Sequence, residues 1–264
     1  MSTAPAIRAY LGGSFNPVHN SHIQMAMHVF DCLTPIAAEQ QRVLQVSLLP
    51  NARSPFKEQS LDPAHRLAML TLAIQDTPLQ VSELELWQSP PVYTIDSVRT
   101  LRKRYPNDSL IFIMGMDSAR SLEQWKDGLQ LTDYVHLWIF DRDNNVDYSL
   151  ENNTNNITQH LSSQNIAHLY NEVPAALQGQ ITHTPTDLTQ PLNELSETSQ
   201  PLKNTAQGRI YIDPRPLTAV SSTQIRQQLQ ICNTTTDNQP SSVTKWLNPT
   251  VYRYIITHQL YSAV

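Results

Sequence analysis

Two hydrophobic rhythms alternate along the chain. In one, short runs are mostly apolar, several of them uniformly so; in the other, apolar residues recur every three or four positions. Residues 6–15 (AIRAYLGGSF), 41–50 (QRVLQVSLLP), 109–117 (SLIFIMGMD), 134–140 (YVHLWIF) and 208–214 (GRIYIDP) are of the first kind and read as strands. Residues 79–86 (LQVSELEL) alternate well enough for one more. The second rhythm is clearest over 22–33, where Ile23, Met25, Ala26, Val29, Phe30 and Leu33 fall on one helical face. It returns over 62–75, with Asp62 placed to cap the helix and Pro63 at its first position. Further helices are expected over 94–105, 118–125, 221–231 and within 243–261. Uniformly apolar strands between helices predict an α/β fold, doubly wound, with a mostly parallel sheet, helices on both faces and helices at the C-terminus.

One stretch breaks the pattern. From 144 to 207, thirty of 64 residues are Asn, Gln, Ser or Thr. Such composition buries little apolar surface to offset its ordering entropy. It predicts a polar insertion within a single domain spanning 1–264, dispensable for any chemistry. The stretch also carries the charge. Six acidic residues against Lys203 account for the whole formal net charge of -5, so the remainder is neutral.

A neutral body lacks the basic field of a general nucleic-acid binder. No run approaches the ~20 apolar residues of a membrane span, and the N-terminus has no signal-peptide pattern. The only cysteines, Cys32 and Cys232, form no CxxC pair and read as free thiols. The expected compartment is the cytoplasm, with neither nucleic acid nor membrane as partner.

In an open α/β sheet, ligands sit beyond the carboxyl ends of the strands. Three segments fall there. The first is GGSFNPVHNSH, residues 12–22, after the first strand. Two of the chain's six glycines allow a sharp turn and a close approach of ligand to backbone. His19 and His22 follow at a spacing of three, sharing a face near a helix N-terminus, which suits phosphate oxygens. The same spacing also fits ordinary surface histidines; a metal site would need a third ligand, and none lies nearby. The second segment is GMDSARSLEQW, residues 115–125. The third is VSSTQIR, residues 220–226, where Ser221 or Ser222 can cap a helix and Arg226 can fork onto an anion. There is no GxxxxGK[ST] and no GxGxxG.

Taken together, these segments resemble the HxGH nucleotidyltransferases. GGSFNPVHNSH is similar to their GG[TS]F[DN]PxHxGH signature, and VSSTQIR to their ISSTxIR signature. LLPNARSPFK, PPVYTIDSVRTLRKRYP and IMGMDSARSLEQWKDGLQL resemble three further segments of the nicotinate-nucleotide adenylyltransferase branch, in the same order. That resemblance covers 7–142 and 208 onward and implies a Rossmann-like sheet. It implies transfer of AMP from ATP to nicotinate mononucleotide, giving nicotinate adenine dinucleotide and pyrophosphate. It assigns catalysis to His19 and His22. Gly13, Ser14, Phe15, Lys57, Gly115, Asp117, Ser222, Thr223 and Arg226 would bind ATP and its phosphates. Tyr93, Thr94 and Trp125 would bind nicotinate mononucleotide, with Trp125 stacked on the pyridine ring. Mg2+ would be held mainly by the substrate phosphates rather than by protein ligands. Partners are then the two nucleotides, with homo-oligomerisation left open.

The chain departs from the signatures at three points, one of them Asn16 in place of the acid of the FDP form, a replacement the family also shows. Ser21 stands where they have glycine, and SPFK replaces PPHK, leaving Lys57 without the histidine. Two alternatives share the motifs: adenylyl transfer to another phosphate acceptor (nicotinamide mononucleotide or phosphopantetheine), and a nucleotide-binding regulator without turnover.

Overall fold

The computed structural model describes residues 4–52, 61–141, 168–192, 207–215, 217–218, 220–234 and 242–261. Seven strands form one sheet: β1 (Ile7–Gly13), β2 (Leu44–Pro50), β3 (Gln80–Val81), β4 (Ser109–Gly115), β5 (His136–Phe140), β6 (Ile181–Thr182) and β7 (Ile210–Asp213). Their spatial order is β3-β2-β1-β4-β5-β7-β6. The pairs β2–β3, β4–β5, β5–β7 and β6–β7 all run parallel. The expected doubly wound α/β sheet is the one observed. The helices are α1 (Asn20–Glu39), α2 (Pro63–Ile74), α3 (Thr94–Arg104), α4 (Met116–Arg120), α5 (Ser222–Thr234) and α6 (Pro249–Thr257). The chain divides into two compact units, one of residues 1–10, 30–45 and 93–217, the other of 11–29, 46–92 and 218–264.

In the first unit β4 and β5 are buried along their whole length, which is why their sequences are apolar without alternation. The helix expected over 118–125 is not continuous. α4 has five residues, and a 3₁₀ turn over Leu122–Gln124 follows it. Gly128 accounts for the break: its backbone lies so close to the Leu122 carbonyl that an added Cβ would sit 2.1 Å from that oxygen. A helix running on through 125 would occupy that space.

The polar stretch also differs from expectation. Residues 168–192 are built into this unit: β6 extends the sheet beside β7, and Val173, Leu177 and Leu188 are buried. The Thr189 carbonyl accepts from Arg42 Nη1 (2.6 Å) and from Ser109 Oγ (2.5 Å). Arg42 also donates to Ala6 O, so one guanidinium ties the stretch to the edge of β1. Residues 168–192 thus contribute to the core and hydrogen bonding of this unit.

In the second unit Asp62 caps α2 as expected, its Oδ1 accepting from Ala64 N at 2.8 Å. Asn248 does the same for α6. The strand expected over 79–86 shrinks to two residues. Ser82 N still bonds Leu48 O, but the chain then folds into a turn closed by Gln88 N to Glu85 O. Trp87 Nε1 donates to Glu83 Oε2 four residues back (2.5 Å), a pairing that suits a turn and not a strand.

His136, at the start of β5, is almost wholly buried and bonded on both ring nitrogens. Nδ1 accepts from Arg209 N and Nε2 donates to Gln190 O, each at 2.9 Å. The ring is neutral in this arrangement. Burial, more than anything else, pushes its pKa down from 6.5 to about 4; the bond to Gln190 opposes the shift. The unfolded chain takes up this proton near pH 6.5, whereas the native chain resists until about 4. The stability it contributes is full above 6.5 and lost as pH falls toward 4, a difference of roughly 3 kcal/mol. Urea midpoints between pH 7.5 and 4 should fall for the wild type. His136→Gln should be less stable at pH 7.5 and show a flatter pH dependence; an identical slope in both would contradict this.

Candidate functional site

The second unit brings together the first and third chemistry-bearing segments. After β1 the chain turns through residues 13–17, and four of the turn's carbonyls are bound by donors from elsewhere in the unit. Gly13 O accepts from Asn51 N (3.0 Å), Ser14 O from Arg66 Nη1 (3.0 Å), Asn16 O from Arg226 Nη1 (2.7 Å) and Pro17 O from Ser222 Oγ (2.9 Å). In a trans peptide the C=O of one residue and the N–H of the next point in opposite directions. The N–H groups of Ser14, Phe15 and Val18 are therefore turned away from these donors and are what the turn offers a ligand.

Phe15 sits inside the turn, fully buried, with φ of 46°, a left-handed conformation uncommon for a bulky residue. Such strain gathers at functional sites. It also explains Gly13, whose φ is not positive. A Cβ there would meet the Phe15 ring at 3.0 Å. The expectation that this glycine serves a sharp turn is thus corrected: it makes room for a phenyl ring.

The two histidines follow. His19 precedes α1 and is not part of it, while His22 lies in the first turn. Their rings stack with centroids 3.6 Å apart and planes inclined 26°. The Phe15 ring meets His22 edge-on at 4.9 Å. His22 Nδ1 accepts from His19 N (3.3 Å), so the proton of the neutral ring lies on Nε2. Both rings are nearly buried, 2% and 7% exposed. Ser21 is fully buried between them, and its Oγ finds no protein partner among the described residues. The residue that replaces the signature glycine fits α1.

α5 begins beside the same turn, and Ser221, not Ser222, is its cap. Ser221 Oγ accepts from Gln224 N (3.2 Å), and Gln224 Oε1 accepts from Ser221 N (2.8 Å), a reciprocal capping box. That box uses the amides of Ser221 and Gln224 and leaves those of Ser222 and Thr223 as donors at the helix end. Ser222 spends its hydroxyl on Pro17 O. Arg226 is held at two points, by Asn16 O and by Thr223 Oγ1 (3.1 Å to Nη2).

The electrostatics are one-sided. Neither α1 nor α5 carries an acidic residue in its first turn, so the positive ends of both helices are uncompensated locally. Arg66 adds a guanidinium only 1% exposed. Its Nη1 bonds Ser14 O and Asn51 Oδ1, while Nε and Nη2 have no partner among the described residues. Burial lowers its pKa, with Tyr261 and Asp62 opposing, yet an arginine so placed stays charged. Turn amides, two helix ends, two imidazoles and two guanidiniums make an anion site of several phosphates' capacity. Among the described residues no group of three His, Cys, Asp or Glu could hold a metal ion.

The other predicted residues lie in the first unit. Gly115 is the N-cap of α4, and Asp117 is exposed in its first turn. Tyr93 is the N-cap of α3 and Thr94 its first residue; no side chain caps that helix end. The Tyr93 ring carries Lys126 Nζ 4.5 Å from its centroid. Trp125 is half-buried, its Nε1 donating to Ser121 Oγ (3.1 Å), and a Cβ on Gly128 would lie 2.9 Å from the Trp125 Cβ. Lys57 falls outside the described residues. Arg66 and Tyr261 border this turn without any signal in the sequence, since each acts through partners far away in the chain, whereas Asn16 lies within the quoted signature.

The sequence model of the cytidylyltransferase-like family matches residues 10–228. A Pseudoalteromonas atlantica protein called "Probable nicotinate-nucleotide adenylyltransferase" is 32% identical over 97% of this chain and 95% of its own length. An Idiomarina loihiensis protein of the same name is 30% identical over 97% and 99%. Alignments of that length run through the polar stretch as well. Among solved structures, the nicotinic acid mononucleotide adenylyltransferase of Plasmodium falciparum, complexed with NaAD, superposes with a TM-score of 0.60 at 16% identity, covering 97% of both chains. At that identity the likeness speaks for the fold.

Proposed function

The chain belongs to the nicotinate-nucleotide adenylyltransferases, within the cytidylyltransferase-like family, and from that premise we propose how its residues carry out the reaction. The enzyme is a nucleotidyltransferase of NAD biosynthesis that moves AMP from ATP to nicotinate mononucleotide. The observation that carries the proposal is the turn over 13–17: its carbonyls are engaged by the protein and its amides are turned the other way.

The phosphate of nicotinate mononucleotide attacks the α-phosphate of ATP, and pyrophosphate leaves. The nucleophile is already an anion, so the protein need not supply a strong base. Its tasks are positioning and stabilising charge on the phosphoryl oxygens. His19 contacts the α-phosphate. His22 donates from Nε2 to the triphosphate, a role that the bond its Nδ1 accepts supports. Arg226 and the Ser222 and Thr223 amides hold the β- and γ-phosphates, with the amides of Ser14 and Phe15 alongside. Lys57 is assigned to phosphate as well. A divalent cation, which we take to be Mg2+, would neutralise phosphate charge and be carried by the substrate phosphates.

In the first unit, Gly115 and Asp117 are assigned to the adenosine side. Tyr93, Thr94 and Trp125 are assigned to the nicotinate side. The uncapped start of α3 supports this: its free amide donors suit a carboxylate, although Asp96 in the first turn offsets part of the helix-end charge. The compartment proposed is the cytoplasm, in keeping with Cys32 as a free thiol.

Pyrophosphate release from ATP and nicotinate mononucleotide tests the reading directly. His19→Ala should stay folded and lose roughly 10²–10³ in kcat; more than about a third of wild-type turnover would refute the role of His19. Replacing the carboxylate by an amide sets donor against donor, leaving a buried N–H unmet at ~1–3 kcal/mol besides the lost charge. Nicotinate mononucleotide should therefore exceed nicotinamide mononucleotide in kcat/KM by at least about 10²-fold. Comparable values for the two would contradict the assignment at α3.

A further inference from the structure

α6 ends in a complete Schellman motif. Leu260 N bonds Ile255 O (3.0 Å) and Gln259 N bonds Ile256 O (3.1 Å), with Gln259 in the left-handed region at φ 50°. Leu260 is buried, as is Ile255, so the apolar contact usual for this motif has both its partners inside. The motif turns the chain back and brings the next residue, Tyr261, against the phosphate turn. There Tyr261 Oη donates to Asn16 Oδ1 at 2.6 Å. Tyr261 itself has φ of 63°, a second strained non-glycine residue in three positions. Its phenol lies in the field of both Arg66 and Arg226, and burial raises its pKa far enough to keep it protonated, and so a donor.

The consequence lies one residue further along. Asn16 is 8% exposed and bonded at both ends: its side chain accepts from Tyr261 and its carbonyl accepts from Arg226. The peptide that aims Arg226 is thus fixed through the Asn16 side chain. Resting on the reading above, we propose that Tyr261 is a positioning residue for adenylyl transfer: through Asn16 it sets Arg226 for the β- and γ-phosphates of ATP. It touches no reacting atom. The strain at Gln259 and Tyr261 is the conformational cost of placing one hydroxyl at that point.

Holding a group that binds phosphate equally in ground and transition states alters KM and leaves kcat. Tyr261→Phe, which removes one oxygen, should raise KM for ATP roughly tenfold. KM for nicotinate mononucleotide and kcat should each change less than about twofold. Asn16→Ala breaks the same bond from its other end and should give the same split, and the double variant should be no worse than either single. A merely structural role would instead lower activity toward both substrates in step with the folded fraction. Wild-type KM for ATP in folded Tyr261→Phe overturns the proposal. Should that variant fail to fold, wild-type KM in folded Asn16→Ala overturns it equally. Calorimetric titration with a non-hydrolysable ATP analogue reads the same tenfold loss of affinity without turnover. If wild type released no pyrophosphate, the functional reading would fail while this titration still decided the role of Tyr261.

Discussion

Everything at the proposed phosphate site depends on which way the peptides between 13 and 17 face. Four carbonyls of that turn are held by donors from β2's end, α2, and α5. A buried carbonyl left without a donor costs ~1–3 kcal/mol, so turning any of these peptides over would lose a bond and bury an unmet acceptor. The orientation is thereby fixed before a ligand arrives. Catalysis by positioned dipoles requires this, because donors that must reorganise during the reaction lose most of their advantage.

The surrounding features reinforce one another. Phe15 takes a strained backbone and places its ring over Gly13 and against His22. The stacked imidazoles fix each other's planes, and the His19 amide fixes the His22 tautomer. The capping box of α5 uses two amides and leaves two. The absence of acids from the first turns of α1 and α5 leaves the positive potential for an incoming anion. In the first unit α3 also lacks a side-chain cap at its N-terminus, but Asp96 in its first turn offsets part of the helix-end charge.

Much of this was legible from the chain alone, for local reasons. The strands at 109–115 and 136–140 are buried on both faces, and burial of that kind writes a continuous apolar run. Asp62-Pro63 is a helix start by its own chemistry. LQVSELEL misled because its alternation fits equally a two-residue edge strand followed by a turn. The helix expected over 118–125 failed at a close backbone approach made by Gly128, which lies outside the window that periodicity examines. The polar stretch was read by composition, and composition does not register that Thr189 O is the acceptor two distant side chains need. Tyr261 bonds a residue 245 positions away, and no local pattern announces such a partner.

On the proposed function, fixed amides of the 13–18 turn and of the start of α5 receive the triphosphate. Titrating the ¹⁵N-labelled protein with a non-hydrolysable ATP analogue and following amide shifts tests it most directly. The amides of Ser14, Phe15, Val18, Ser222 and Thr223 should move downfield together, with one common affinity, as each gains an anionic acceptor. Unshifted resonances at those five positions under saturating analogue, with the changes falling elsewhere, would contradict it.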